Sequence, residues 1–375
     1  MTRTLRSCFA VAALTLAAAC PRSRVDPVPA VHLFENHSGS LIAWRTAGVR
    51  DRILVHLDGH ADLDWLPDAT IRRLASASPD EFAALELHPY ELDGKTLERF
   101  GIWNFVYPAA RLGLVREYVW VVPDGTLRDP QAAQELVRTM ILGKMQGISL
   151  EEAKTLHLES RAIRGTILGI KLTVCELDDL PRFDEPDLLD IDLDYLTTRS
   201  ATTQEDVFEP SMRPESLLSR LGRRGVRTDL ATISYSTMGG YLPPSCRWLG
   251  PALRAALRHE PETKAVAADP VLEDTQLFEA DALWLNERHA DALPRYAAYR
   301  ASRPQGPFLA YALRREAGCL ARSGHADEAI AKLYEVIAIA PDHGDTRLDL
   351  GLLLRERGDL DGAIAQFLAA RKILP

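Results

Sequence analysis

The chain has 375 residues, room for two or three domains at about 150 residues each. Its 46% hydrophobic and 26% charged residues are ordinary globular usage and exclude a disordered or fibrous chain. A net charge of −9 argues against a dedicated nucleic-acid binder, and beyond the N-terminus no apolar run of about 18 residues predicts a membrane span.

The N-terminus reads as an export signal. Arg3 and Arg6 precede an apolar run from Cys8 to Ala19, and the run ends in Leu16-Ala17-Ala18-Ala19-Cys20. Small residues followed directly by cysteine resemble a bacterial lipobox. That resemblance implies cleavage before Cys20, lipidation of Cys20 and a lipid-anchored protein of the bacterial cell envelope. Residues 1–19 are then the signal and 20–30, rich in proline, a tether. Of the remaining cysteines, Cys175, Cys246 and Cys319 are too scattered for a disulfide framework and read as buried small hydrophobes.

From residue 31 to 257, strand-like and helix-like runs alternate. Strand candidates are Ile53-Leu54-Val55, Tyr118 to Val122, Ile170 to Val174, Leu188 to Leu193 and Asp229 to Ser234. Such alternation predicts an α/β domain of three layers, with a mostly parallel sheet covered by helices on both faces. Residues 258–289 read as a helical connection. Residues 290–375 carry a repeat of period 34, in which Gly324, Ala329, Ile330 and Pro341 return as Gly358, Ala363, Ile364 and Pro375. That period with those small residues is the tetratricopeptide signature. Ala290 to Pro304 fits the second helix of an earlier, degenerate copy, and Phe308 to Ser323 the first helix of the next. The repeats predict either a groove for a protein or peptide partner or a helical cap on the catalytic domain.

The chemistry concentrates in two runs. His56-Leu57-Asp58-Gly59-His60-Ala61-Asp62-Leu63-Asp64 alternates polar with small or apolar residues, directly after an apolar strand. If the strand persists, the polar side chains share one face at its C-terminal end, where open α/β sheets place ligands. Leu189-Asp190-Ile191-Asp192-Leu193-Asp194-Tyr195 repeats the pattern. Crowded carboxylates repel unless some protonate or a cation binds. Asp and His without cysteine favour Mn, Fe, Co or Zn. Upstream, Glu35-Asn36-His37-Ser38 supplies another histidine.

Together, in this order, His37-Ser38, Asp58-x-His60-x-Asp62 and Asp190-x-Asp192 resemble the arginase/deacetylase superfamily. The resemblance implies an arginase-type fold and two divalent metal ions, manganese first among them. One ion would be held by His37, Asp58, Asp62 and Asp190, the other by His60, Asp58, Asp190 and Asp192. Asp194 is expected to support the site from outside, and His56 to pack or to hydrogen-bond a ligand. With Gly101-Ile102-Trp103-Asn104-Phe105-Val106-Tyr107-Pro108-Ala109, the same motifs look like the branch that contains the peptide arginases. That implies hydrolysis of a C–N bond other than a peptide bond, in a guanidino group and in arginine side chains of peptides. A deacetylase-like amidohydrolase and an inactive envelope scaffold are the alternatives. Asp62 and Asp192 are the candidate catalytic proton carriers, and Asn104 the candidate substrate-binding residue. Two departures from the resemblance are Phe34-Glu35-Asn36 in place of Gly-Gly-Asp, and the absence of the downstream glutamate that grips the guanidinium. Metal would lower the pKa of a shared water for attack on a trigonal carbon.

Overall fold

The computed structural model describes residues 25–92, 96–142, 147–197, 210–260 and 274–373. The signal, Cys20 and the first part of the tether lie outside them. From Val25 onward the expected tether is packed instead. Val25 and Val28 are buried, and the Val28 amide donates to the Leu257 carbonyl at 2.9 Å.

The sheet has eight strands: β1 (Ala30–Phe34), β2 (Arg52–Leu57), β3 (Val115–Val122), β4 (His157–Glu159), β5 (Ala162–Ile167), β6 (Ile170–Glu176), β7 (Asp187–Asp192) and β8 (Thr228–Ser234). Their order is β1-β8-β7-β2-β3-β6-β5-β4. Neighbours from β1 to β6 run parallel, while β5 and β4 form an antiparallel edge that sequence reading did not anticipate. The central strands are almost wholly buried because both faces are covered. One face packs on α1 (Ser38–Thr46), α2 (Asp68–Ser76), α3 (Pro79–Ala83), α4 (Val106–Arg111) and α5 (Pro130–Leu136), through Leu41, Trp44, Leu74, Phe82 and Val106. α6 (Leu150–Thr155) precedes the edge hairpin. The other face packs on α7 (Pro214–Arg224) and α8 (Leu249–Leu257), through Leu217, Leu221, Leu249 and Leu253. A three-layer α/β/α domain results.

Six antiparallel helices follow: α9 (Thr275–Leu285), α10 (His289–Ser302), α11 (Leu309–Arg322), α12 (Ala326–Ile339), α13 (Gly344–Glu356) and α14 (Leu360–Ile373). They stack as the pairs α9/α10, α11/α12 and α13/α14. Helix α10 falls where the second helix of the degenerate copy was expected, and α11 where the first helix of the next copy was. Part of the segment read as a connection is α9, the first helix of the first pair. Its neighbours approach closely: a Cβ on Gly318 of α11 would lie 2.5 Å from the Trp284 ring of α9. Cys175, Cys246 and Cys319 are all buried. Among the described residues no helix is long and apolar enough to cross a membrane.

Candidate metal centre

The site forms where the parallel strands end. Strand β2 stops at Leu57, so Asp58 to Asp64 is a loop, with Asp62 in the left-handed region at φ 48°. Alternation along a strand therefore does not explain the cluster. Loop residues are aimed by buried donors instead: Trp120 Nε1 donates to the Asp58 carbonyl at 2.9 Å, and the Tyr118 hydroxyl to the Ala61 carbonyl at 2.6 Å. His37 enters at the amino end of α1, just after β1.

Two layers of polar groups result. In the deeper layer His56 and Asp190 lie opposite each other on β2 and β7. Asp190 Oδ2 accepts from His56 Nδ1 at 2.8 Å, and Oδ1 accepts from Ser40 Oγ at 2.8 Å and from the Thr232 hydroxyl. Two residues further along the strands, Asp58 and Asp192 make the upper layer with His37 and Asp62. His37 Nδ1 lies 3.3 Å from Asp58 Oδ2, 3.0 Å from Asp62 Oδ2 and 3.3 Å from Asp192 Oδ2. His56 Nε2 points up into the same space, 3.1 Å from Asp58 Oδ2 and 3.7 Å from Asp62 Oδ2. Ser236 Oγ donates to Asp192 Oδ2 at 2.6 Å.

A second cluster shares Asp58. His60 Nδ1 lies 3.3 Å from Asp58 Oδ1 and 3.0 Å from Asp194 Oδ2. The chain turns in a short helical segment, Leu193–Leu196, immediately after β7, which swings Asp194 back toward β2. Gly59 N donates to Asp194 Oδ1, and Asp194 N to Asp192 Oδ1.

His37, Asp58, His60, Asp62 and Asp192 thus come together as expected, but Asp190 does not join them. Both its oxygens are engaged by Ser40, Thr232 and His56, one side-chain layer below. Asp194 takes the place expected of a second Asp beside His60, and His56 is a donor that sequence reading left in a supporting role. Asn104 is also placed otherwise. It is buried, and its Oδ1 accepts from Gly101 N at 2.8 Å, closing a turn that presents Ile102 and Trp103. These two line a cavity of about 160 Å³ together with His37, His60, Asp62, Asp64, Asp192 and Tyr241. The ring of Tyr241 stands edge-on to His60 with centroids 4.9 Å apart.

The donor set fits a divalent cation. Four buried atoms, His37 Nδ1, His56 Nε2, Asp58 Oδ2 and Asp62 Oδ2, have no hydrogen-bond partner and converge on one another. Donors bound about 2.0–2.2 Å from a common ion lie about 3.0–3.5 Å apart, close to the separations found here. Burial opposes charge on His37, yet Asp62, Asp192 and Asp58 outweigh it and raise the imidazole well above its ordinary range. His60 is pushed up to about 12, with burial overcome by Asp194 and Asp58. Burial, Asp194 and Asp58 together raise the Asp192 carboxyl. These shifts share one cause, the crowding of carboxylates where a cation would sit.

Comparison with known proteins bears on the helical part. Residues 320–375 match a tetratricopeptide repeat family, the span of α12 to α14 with the end of α11. Solved structures of MamA match part of the chain. A double mutant of RS-1 MamA is 16% identical with a TM-score of 0.26, covering 30% of this chain and 61% of that one. AMB-1 MamA is 16% identical with a TM-score of 0.25, covering 30% and 64%. The chain thus spans less than two thirds of the MamA structures it matches. No curated protein matches it.

Proposed function

We propose that the α/β domain is a binuclear metal hydrolase of C–N bonds other than peptide bonds, with an arginase-type fold and a guanidino group as its substrate. The observation that carries this reading is the convergence of four unpartnered buried donors beside a second cluster that shares Asp58. His37, His56, Asp58 and Asp62 would hold one ion, with Asp192 against them, and Asp58, His60 and Asp194 the other. When bound, such a pair lowers the pKa of water and polarises the bond to be broken. Manganese suits the oxygen-rich set, with zinc, iron or cobalt as alternatives.

The cavity favours a planar cation over a neutral amide. Trp103 and Tyr241 offer aromatic surfaces, and Asp62, Asp64 and Asp192 add negative charge. Its small volume admits the end of a side chain, while the remainder of a peptide stays outside. Asp62, which lines the cavity, would pass the proton to the leaving nitrogen. Asp192 is less suited, since Ser236 and the Asp194 amide hold its oxygens. Asp190 fixes the His56 tautomer, because Nδ1–H donates to it and leaves Nε2 for a cation.

The repeats add a protein-binding surface. Their groove of about 400 Å³ runs across α9, α11 and α13 and includes Trp284, Arg315, Arg322 and Leu352. It suits a peptide or protein partner. With lipidation at Cys20, the enzyme would work at the bacterial envelope. Metal analysis with a urea-release assay over arginine, agmatine and arginine-containing peptides tests the whole reading. Bound metal with amide hydrolysis and no urea would move it to the deacetylase-like class, and a chain that binds no metal would refute it.

A further inference from the structure

The loop that follows β8 touches both the metal centre and the helical array. At its start Ser236, with φ 49°, donates to Asp192. At its end Tyr241 walls the cavity and stands against His60. Between them Gly239 and Gly240 have φ values of 88° and 86°. A Cβ on Gly240 would lie 2.3 Å from the carbonyl carbon of Asp281 in α9 and 2.4 Å from its oxygen. No side chain fits there, so the loop rests backbone-to-backbone on the first helix of the array.

Asp281 is fully buried and is the hub of this contact. Its carboxylate accepts from Tyr296 of α10 at 2.6 Å, from Tyr311 of α11 at 2.9 Å, from the Tyr90 hydroxyl of the α/β domain, and from the Gly239 amide at 3.3 Å. The Tyr90 hydroxyl also accepts from Gly239 N at 2.9 Å. Arg315 Nε donates to the Tyr311 hydroxyl at 2.9 Å and so completes a ring of polar groups inside an apolar cluster. Partial satisfaction of such a buried network is costly, so it holds one arrangement. That arrangement fixes the loop at Gly239, two residues from Tyr241 and three from Ser236.

We propose that Asp281 is a positioning residue for the catalytic cavity: the helical array, through this carboxylate, sets the loop that places Tyr241 as the specificity-determining wall. The proposal rests on the reading of the cavity as the substrate site. It makes the first helix pair part of the enzyme and leaves partner binding to the groove. Tyr241 contacts substrate, and Asp281 acts only through the loop.

The full-length processed chain tests this with Asp281→Asn, Tyr241→Ala, Tyr241→Phe and the double variant Asp281→Asn/Tyr241→Ala. An asparagine turns an NH2 group toward hydroxyls that need an acceptor. In the metal-free protein, amide exchange across residues 236–242 should quicken about tenfold or more, the worth of a hydrogen bond to a charged acceptor, while β2 and β7 stay protected. With Co(II) bound, its visible spectrum should shift. KM for an arginine-containing hexapeptide should rise about tenfold, with kcat within about twofold. Tyr241→Ala should give the same KM change, Tyr241→Phe should stay near wild type, and the double variant should be no worse than either single one. If Asp281→Asn does not fold, Tyr311→Phe should give the same exchange pattern at smaller amplitude. The proposal is overturned if these variants lower only the melting temperature and leave exchange at 236–242 unchanged. It is also overturned if the two KM effects multiply. A wild-type chain without bound Co(II) or turnover defeats the hydrolase reading alone, because the metal-free exchange pattern still reports on Asp281.

Discussion

Asp190 and His56 sit directly opposite each other on adjacent parallel strands, and the 2.8 Å bond from His56 Nδ1 to Asp190 leaves His56 Nε2 facing the cage. In the proposed metal centre this pair separates ligand from support, with His56 as the ligand and Asp190 as its partner. Removing Asp58 should abolish binding of both ions, since its two oxygens serve the two clusters. Asp194→Ala should lose one ion and keep the other. Asp190→Ala should retain two sites with the affinity of the first weakened about 10–100-fold, as for other partners that orient a ligand histidine. Metal per chain after dialysis, by plasma emission, checks all three. Loss of both ions from Asp190→Ala with the protein still folded would restore it as a ligand.

The strands themselves were readable. β2, β3, β6, β7 and β8 announce themselves as apolar runs because both faces of the sheet are covered. What the sequence did not reveal is where a strand stops. Asp190, Asp192 and Asp194 follow one period of two, and period alone does not tell which pair rises above the sheet edge. The end of β7 at Asp192 decides it, and the turn that follows recruits Asp194. His56 was expected to pack or to hydrogen-bond a ligand, because its partner Asp190 lies 134 residues away and sequence alone does not pair them. α9 lies in the segment read as a helical connection, and its pairing with α10 was not legible for a related reason: its face is shaped by Tyr90 and Gly240 of the other domain, which dilutes the repeat pattern.

Stability should fall as pH rises between about 4 and 7 through Asp187. Burial outweighs its neighbours and lifts this carboxyl to about 7. In the unfolded chain it ionises near 4. Between those values the folded state binds the extra proton, so raising pH costs stability, fully so above about 7. Asp187→Asn should therefore raise the melting temperature at pH 8 and change it little at pH 4. Equal shifts at both pH values would contradict the assignment.

Two truncations separate the duties of the repeats. Ending the chain after α12 removes α13 and α14 and leaves Tyr296 and Tyr311 on Asp281. Metal content and turnover of a minimal guanidino compound should persist, while activity on an arginine-containing peptide falls if the groove holds substrate. Ending it before α11 removes Tyr311 and should impair both substrates. If the shorter deletion treats both substrates as the full chain does, the groove serves a separate partner.

The proposed export signal carries its own test. The full-length chain should enter the membrane fraction and incorporate a lipid label, and Cys20→Ser should release or retain it unprocessed. An unlabelled wild-type protein would refute lipidation.

The backbone contact between Gly240 and Asp281 also dictates an order of events. His37, Asp58 and Asp192 are synthesised well before α9, yet Gly239 and Gly240, in the loop that carries Ser236 and Tyr241, lack one side of their packing until α9, α10 and α11 have paired. Closure of the cavity is therefore a late, long-range step, slow by the logic of distant contacts. A chain caught before it would present an open acidic basin to any passing cation, and the identity of the ion finally enclosed would depend on what was abundant at that moment.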